Sequence, residues 1–414
     1  MTVITSPNRL APDTAAPPQP GEGRVVPGVP PFDADRLDAL LAEADVDAVV
    51  TTSRQAAQYL LGGYSFPFFD HRDAIGLSRY LPVVVYVRGR PDLSAYIAHR
   101  LEKHEHQLGR FWTPAVRTVS GTTVDAVENA IAHIKAIGVP LRRVGIEPPF
   151  LPSDAAAVLR DGLPNCALVD VGHQMERLRS RKSPAELALL RDASEKVVDS
   201  MLATFAALSP GMTKAELVER LRQEEVGRGL TFEYCLITAG SSLNRAASGQ
   251  RYEEGDILSL DSGGRFRGYI GDLCRMGVIG EPDAELEDLL GAVDAIQQRA
   301  RRTVRAGVRG GEVQAAGEEA AAASPFADHV EFLAHGMGLV QHETPWLTKT
   351  GPIPYHAHDA DRAIEADMVL SVETTLLHPR RGFIKLEDTI VVTAGGYEAL
   401  GDAGRGWNRA GRGG

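Results

Sequence analysis

The stretch ILSLDSGGRFRGYIGDLCRMGV, residues 257–278, sets the tightest limit on what this chain can fold into. Two apolar runs flank a glycine-containing turn, which reads as a β-hairpin, and each run carries one carboxylate, Asp261 and Asp272. A turn centred on Phe266 and Arg267 predicts the two acids directly opposite each other, where β-carbons lie about 5 Å apart and like charges weaken the pairing. The arrangement recurs near the C-terminus, where MVLSVETTLL and FIKLEDTIVVT flank HPRRG and bring Glu373 and Glu387 to one level. One such pair alone reads more simply as an exposed hairpin with solvated acids. Two pairs, each inside a strongly apolar strand, set four carboxylates beside a core, which is too costly to leave uncompensated. A cation among them reverses the sign of the interaction.

Between the hairpins lies FLAHGMGLVQHETPWL, with His335 followed by small residues and His342 seven positions on. Glycines beside His335 let backbone and ligands crowd the imidazole, so it is a candidate fifth ligand. Four carboxylates and one imidazole suit two divalent metal ions of the Mn, Co, Fe or Zn type and do not suit copper or an iron–sulfur cluster.

The remainder of the chain bounds the setting. With 414 residues, 43% of them apolar, two domains are expected. A net charge of -11 without a long basic run argues against nucleic acid or a membrane surface and for a small molecule, short peptides included, or another protein as partner. No window approaches a membrane span, residues 1–30 read as a flexible tail without a secretion signal, and the scattered Cys166, Cys235 and Cys274 fit reduced thiols in a cytoplasmic protein.

Residues 31–178 alternate helix and strand, with strands expected at DAVVTT, LPVVVYV, LSAYIA, RVGIE and ALVDV, and no glycine-rich phosphate loop follows any of them. A second domain, 183–402, opens at a capping box built from Ser183 and Glu186 with Pro184 between; Thr213 and Glu216 repeat the device. Its pattern is α+β, helices covering an antiparallel sheet. Residues 403–414 read as a second flexible tail.

Asp261, Asp272, His335, Glu373 and Glu387, in this order and with LEDT around the last, resemble the creatinase, prolidase and methionyl aminopeptidase family. AQYLLGGY in the first half is similar to the Tyr-Leu-x-Gly stretch of its creatinase-like members. The resemblance implies a pita-bread catalytic domain preceded by a creatinase-type α/β N-terminal domain, with those five residues holding two metal ions. It implies hydrolysis of an amide-type C–N bond by a metal-bridged hydroxide, most simply as an Xaa-Pro aminopeptidase or dipeptidase. Glu373 would shuttle the proton, and His342 would hydrogen-bond substrate and tetrahedral intermediate. Asn244, Tyr269 and Lys385 join His342 as candidate substrate-binding residues, and a homodimer is expected.

Departures from the family pattern keep a second reading open. Members usually place a histidine about seventeen residues before the first aspartate, where this chain has Asn244, and an amide does not relay protons near neutral pH. A frequent arginine near the last glutamate is Lys385 here, which lacks the planar fork. A pita-bread enzyme acting on a small non-peptide molecule, creatinase-like hydrolase or lyase, is the alternative. A metal-free binding protein is a third reading, opposed by the complete ligand set.

Overall fold

The computed structural model describes residues 25–410 apart from 77–78 and 350–356, so most of the expected N-terminal tail lies outside the described residues. Two compact units divide between Val171 and Gly172.

The first unit holds a six-stranded mixed sheet of β1 (Ala48–Thr51), β2 (Val83–Val87), β3 (Ala95–His99), β4 (Ala115–Ser120), β5 (Arg143–Ile146) and β6 (Ala167–Asp170), in the order β4-β3-β2-β1-β5-β6. All five expected strands are present. The one missed, β4, is an edge strand whose residues are mostly half-exposed, so it lacks the apolar run by which a buried strand is recognised. The helix Thr123–Ala136 starts at a capping box from Thr122 and Asp125, and its Ala126, Ala130 and Ile134 press on Val83, Val85 and Ile97.

The helix Gly172–Ser180 belongs to the second unit, which therefore begins earlier than residue 183. Its Met175 and Leu178 are buried, and its Arg179 reaches the buried Glu343 at 2.7 Å. The helices Pro184–Ala207 and Lys214–Gly227 both open on the expected reciprocal caps; Ser183 donates its N–H to Glu186 Oε2 at 2.8 Å. A nine-stranded sheet follows: β7 (Thr231–Ile237), β8 (Ile257–Phe266), β9 (Tyr269–Val278), β10 (Val330–Gly336), β11 (Glu343–Trp346), β12 (Val369–His378), β13 (Gly382–Val392), β14 (Tyr397–Leu400) and β15 (Asn408–Arg409). The path runs β11-β10-β12-β13-β9-β8-β7, with β14 on β13 and β15 on β9.

Helices cover one face of this sheet. Val197, Met201 and Leu217 pack against Leu258, Leu260 and Leu273, while Leu289, Val293 and Val313 from Ala284–Arg301 and Gly310–Ala322 pack against Ala334, Val372 and Leu386. Each such side chain contributes about 1.5–3 kcal/mol on burial. Because side chains alternate across a strand, committing these residues to the helices sends Asp261, Asp272, His335, Glu373 and Glu387 together to the opposite face. β9 and β13 pair at one position, Glu387 with Cys274. Beside it the buried guanidinium of Arg275 donates to the carbonyls of Cys274 and Glu387 at 2.9 and 2.8 Å, and Thr389 donates to the carbonyl of Asp272 at 3.2 Å.

The C-terminal stretch departs from the flexible tail expected at 403–414. Trp407 is buried with Nε1 donating to Leu286 O at 3.1 Å, Asn408 donates to Met276 O at 2.9 Å, and β15 extends the sheet alongside β9. One indole in a glycine-rich segment is enough apolar surface to anchor it. Residues 411–414 lie outside the described residues. Among the described residues no helix is long and apolar enough to cross a membrane.

Candidate metal centre

The β8–β9 turn is Arg267–Gly268, with φ of 51° and 94°. A two-residue turn of this kind needs positive φ at both positions, and glycine takes the second without strain. The turn therefore sits one residue later than expected, and the register shifts. Asp261 faces Cys274 and Asp272 faces Gly263, so the aspartates are diagonal neighbours on one face, not a directly opposed pair. Gly263 is required there: a β-carbon would stand 2.3 Å from the ring of Tyr234, whose hydroxyl donates to Asp272 Oδ1. Glu373 and Glu387 are directly paired, as expected, and β10 sets Leu333 against Glu373 and His335 against Ser371.

All five expected ligands converge. Side-chain donor atoms of Asp261, Asp272 and Glu387, of His335, Glu373 and Glu387, and of Asp272, His335 and His342 form three groups, each with its atoms within 4.8 Å of one another. His335 Nδ1 lies 3.1 Å from the carbonyl of Gly336, which places the proton on Nδ1 and leaves the Nε2 lone pair directed at Glu373 Oε1 and Glu387 Oε1, 3.8 and 3.9 Å away. Burial pushes the His335 imidazole down to about 4 and that of His342, stacked on it with centroids 3.8 Å apart, down to about 3. Both rings are neutral near pH 7, the form that ligates.

Burial raises the carboxyl of Asp272 well above its ordinary value, and Glu387 and Asp261 raise it further; Asp261 is raised by burial against the pull of Lys385. Lys385 Nζ lies 2.8 Å from Asp261 Oδ2, 2.5 Å from Glu373 Oε2 and 2.7 Å from Glu387 Oε2. Burial works to lower this ammonium, and the three carboxylates override it and hold it well above the usual lysine value. On the other side of the cluster, His335 Nε2 and Asp272 Oδ2 are buried with no hydrogen-bond partner. Such orphaned atoms are expensive in a core, and a divalent ion among them satisfies both. The donor set, oxygen with imidazole nitrogen, fits the metals expected.

The candidate substrate residues divide. His342 and Lys385 stand in the cluster. Tyr269 does not: it lies on the helix-covered face and donates to Glu186 Oε1 at 2.7 Å. Asn244 does not either, because it is exposed and its side-chain oxygen accepts from Ala246 N–H at 2.9 Å. Its neighbour Arg245 reaches the site instead and pairs with Asp261. Sequence reasoning also missed Tyr234, which receives a hydrogen bond from Gln341 at 2.6 Å, and Ser371, which donates to Glu387 Oε1 at 2.8 Å. The glycines after His335 have structural work to do. A β-carbon on Gly336 would lie 2.3 Å from Pro345 N, and one on Gly338 would lie 2.4 Å from Glu343 Oε1.

Comparison with known proteins matches this arrangement. Residues 188–394, half of the chain, match Metallopeptidase family M24, and residues 34–181 match the Creatinase/Prolidase N-terminal domain. Uncharacterized peptidase YqhT of Bacillus subtilis is 26% identical over 67% of this chain and 76% of its own length. Probable dipeptidase PepE of Mycobacterium tuberculosis is 29% identical over 54% of this chain and 58% of its own. The solved structure of an Xaa-Pro dipeptidase from Bacillus anthracis superposes with a TM-score of 0.77 at 20% identity, covering 91% of this chain and 98% of that one. A family match over half the chain, in a fold shared almost end to end, means that this protein belongs to metallopeptidase family M24, a metal-dependent hydrolase with a creatinase/prolidase domain ahead of its pita-bread domain.

Proposed function

We propose that this hydrolase cleaves Xaa-Pro-type amide bonds, as an aminopeptidase or dipeptidase, with two divalent ions held by Asp261, Asp272, His335, Glu373 and Glu387. The observation that carries the reading is the convergence of these five side chains with His335 Nε2 and Asp272 Oδ2 buried and unpartnered. The name of the Bacillus anthracis structure, an Xaa-Pro dipeptidase, supports the substrate class, and that of the mycobacterial relative, a probable dipeptidase, supports its length. Ions bound there supply a Lewis acid for the scissile carbonyl and make a water acidic enough to react near neutral pH. Glu373, half-buried where the cluster meets an open cavity, takes the proton of the attacking water and passes it to the leaving nitrogen. His342 offers its ring nitrogen to the substrate. A cytoplasmic homodimer belongs to the same proposal, and sedimentation velocity tests the dimer.

The alternative, a small non-peptide substrate, is favoured by Asn244 standing where relatives are expected to use a histidine. A panel of Xaa-Pro dipeptides and longer peptides, assayed with Mn or Co, decides between the two. Turnover with kcat/KM on the order of 10⁴ M⁻¹s⁻¹ or better establishes the peptidase. Silence across the panel, from protein that metal analysis shows to be loaded, favours the alternative. His335→Ala is expected to lose bound metal and all turnover.

A further inference from the structure

The acidic cluster opens into a cavity of about 680 Å³. Its floor is the same sheet face that carries the ligands: Leu333, Thr375, Leu377 and Phe383 alternate along β10, β12 and β13 outward from Glu373 and Lys385. Two cations stand at the cluster end. Lys385 spends its ammonium on three carboxylates, as described above.

Arg245, from the loop between β7 and β8, is differently placed. One of its five donors, on Nη2, goes to Asp261 Oδ2, while its Nε is buried with no hydrogen-bond partner. Its guanidinium carbon lies 4.7 Å from the centroid of the Phe383 ring, and stacking of this kind sets the plane of the fork. Glu318 and Glu331 also line the cavity and repel an anion, so the cationic Arg245 is where one is drawn.

We propose that Arg245 is the specificity-determining residue of this pocket, binding a substrate carboxylate one residue beyond the scissile bond. The proposal rests on the amide-hydrolase reading above. Arg245 is bonded to Asp261, a candidate metal ligand, so an anion on its fork stands beside the candidate centre; about one residue's span, ~3.5 Å, is what separates a dipeptide's terminal carboxylate from its amide. A dipeptide presents its terminal carboxylate at that distance. A longer peptide or a C-terminal amide presents a neutral amide there and forgoes the charge-assisted pair with the fork. The apolar floor accepts the uncharged part of such an acid.

The test compares Ala-Pro with Ala-Pro amide on the metal-loaded enzyme and its Arg245→Met variant. Wild type is expected to show a KM at least about tenfold lower for the acid, and Arg245→Met to raise the KM of the acid about tenfold more than that of the amide. Arg245→Lys, which keeps the charge without the fork, is expected to fall between the two and covers the case in which the methionine variant fails to fold. Equal effects on acid and amide, or no effect on either, overturn the proposal. Calorimetric titration of L-proline and L-prolinamide separates it from the peptidase reading, because it needs no turnover. Proline bound more tightly than its amide by wild type, with the preference abolished in Arg245→Met, supports the anion site even if no peptide is cleaved. The absence of that preference in wild type overturns it.

Discussion

The ammonium of Lys385 lies 2.5 Å from Oε2 of Glu373, inside a group of side chains whose other charged members are mostly acids. Removing one partner from a buried charge set costs about 3–5 kcal/mol. Lys385→Met is therefore expected to lower the melting temperature by several degrees in the presence of a chelator. Saturating Mn is expected to recover most of the loss, since divalent charge then offsets the acids that the ammonium had offset. Thermal melts with EDTA and with Mn check this, and an equal loss in both removes Lys385 from the electrostatics of the centre.

Gly336 separates His335 from the chain at Thr344–Pro345, with no space for a methyl group. Gly336→Ala is expected to cost about 1–3 kcal/mol through overpacking. It is also expected to weaken metal binding, because any relief displaces the neighbouring imidazole. Gly395, where an added β-carbon meets nothing within 4 Å, serves as the control: Gly395→Ala is expected to stay within about 0.5 kcal/mol of wild type. Denaturant melts and a metal titration read the two effects.

In the first unit, burial pushes the carboxyl of Glu102 up from 4.5 to about 7, against hydrogen bonds from Tyr96, His99 N–H and Tyr64 that favour its charged form. The folded state holds this proton more tightly than the unfolded chain does. Its contribution to stability is therefore complete below pH 4.5 and declines as pH rises toward 7, by on the order of 3 kcal/mol in all. Glu225, also pushed up to about 7 by burial, adds a term of the same sign in the second unit. Unfolding free energies measured between pH 4.5 and 7.5 are expected to show the decline, with a shallower slope in Glu102→Gln. An unchanged slope in that variant rejects the assignment.

Trp407 fills the core beneath the helix Ala284–Arg301. Trp407→Ala is expected to cost about 3–5 kcal/mol in denaturant unfolding of the second unit. A cost below about 0.5 kcal/mol would mean that the stretch from 403 to 410 adds nothing to the fold.

What was legible in the chain was local or strongly periodic. The caps at Ser183 and Thr213 are spelled within four residues, and the apolar alternation of β8, β12 and β13 settles which side chains share a face. That alternation is indifferent to a shift in the turn: it sets Asp261 and Asp272 on one face, and only the positive φ at Gly268 fixes their register. Contacts between distant residues with no periodic signature were invisible: Tyr234 reaches Asp272, and Arg245 reaches Asp261 from a loop in which Asn244 drew attention by its position. Gly263 is the trace that Tyr234 leaves in the sequence, and it is readable only once the ring beside it is known.

Where β9 meets β13, Arg275 and Thr389 complete what the single Glu387–Cys274 pairing begins. Each hairpin is thus stitched internally by a full ladder and joined to the other mainly by side chains. Amides along that join are expected to exchange with deuterium sooner than those inside either hairpin. The reactive groups lie astride the join, so whatever tightens it also sharpens their alignment.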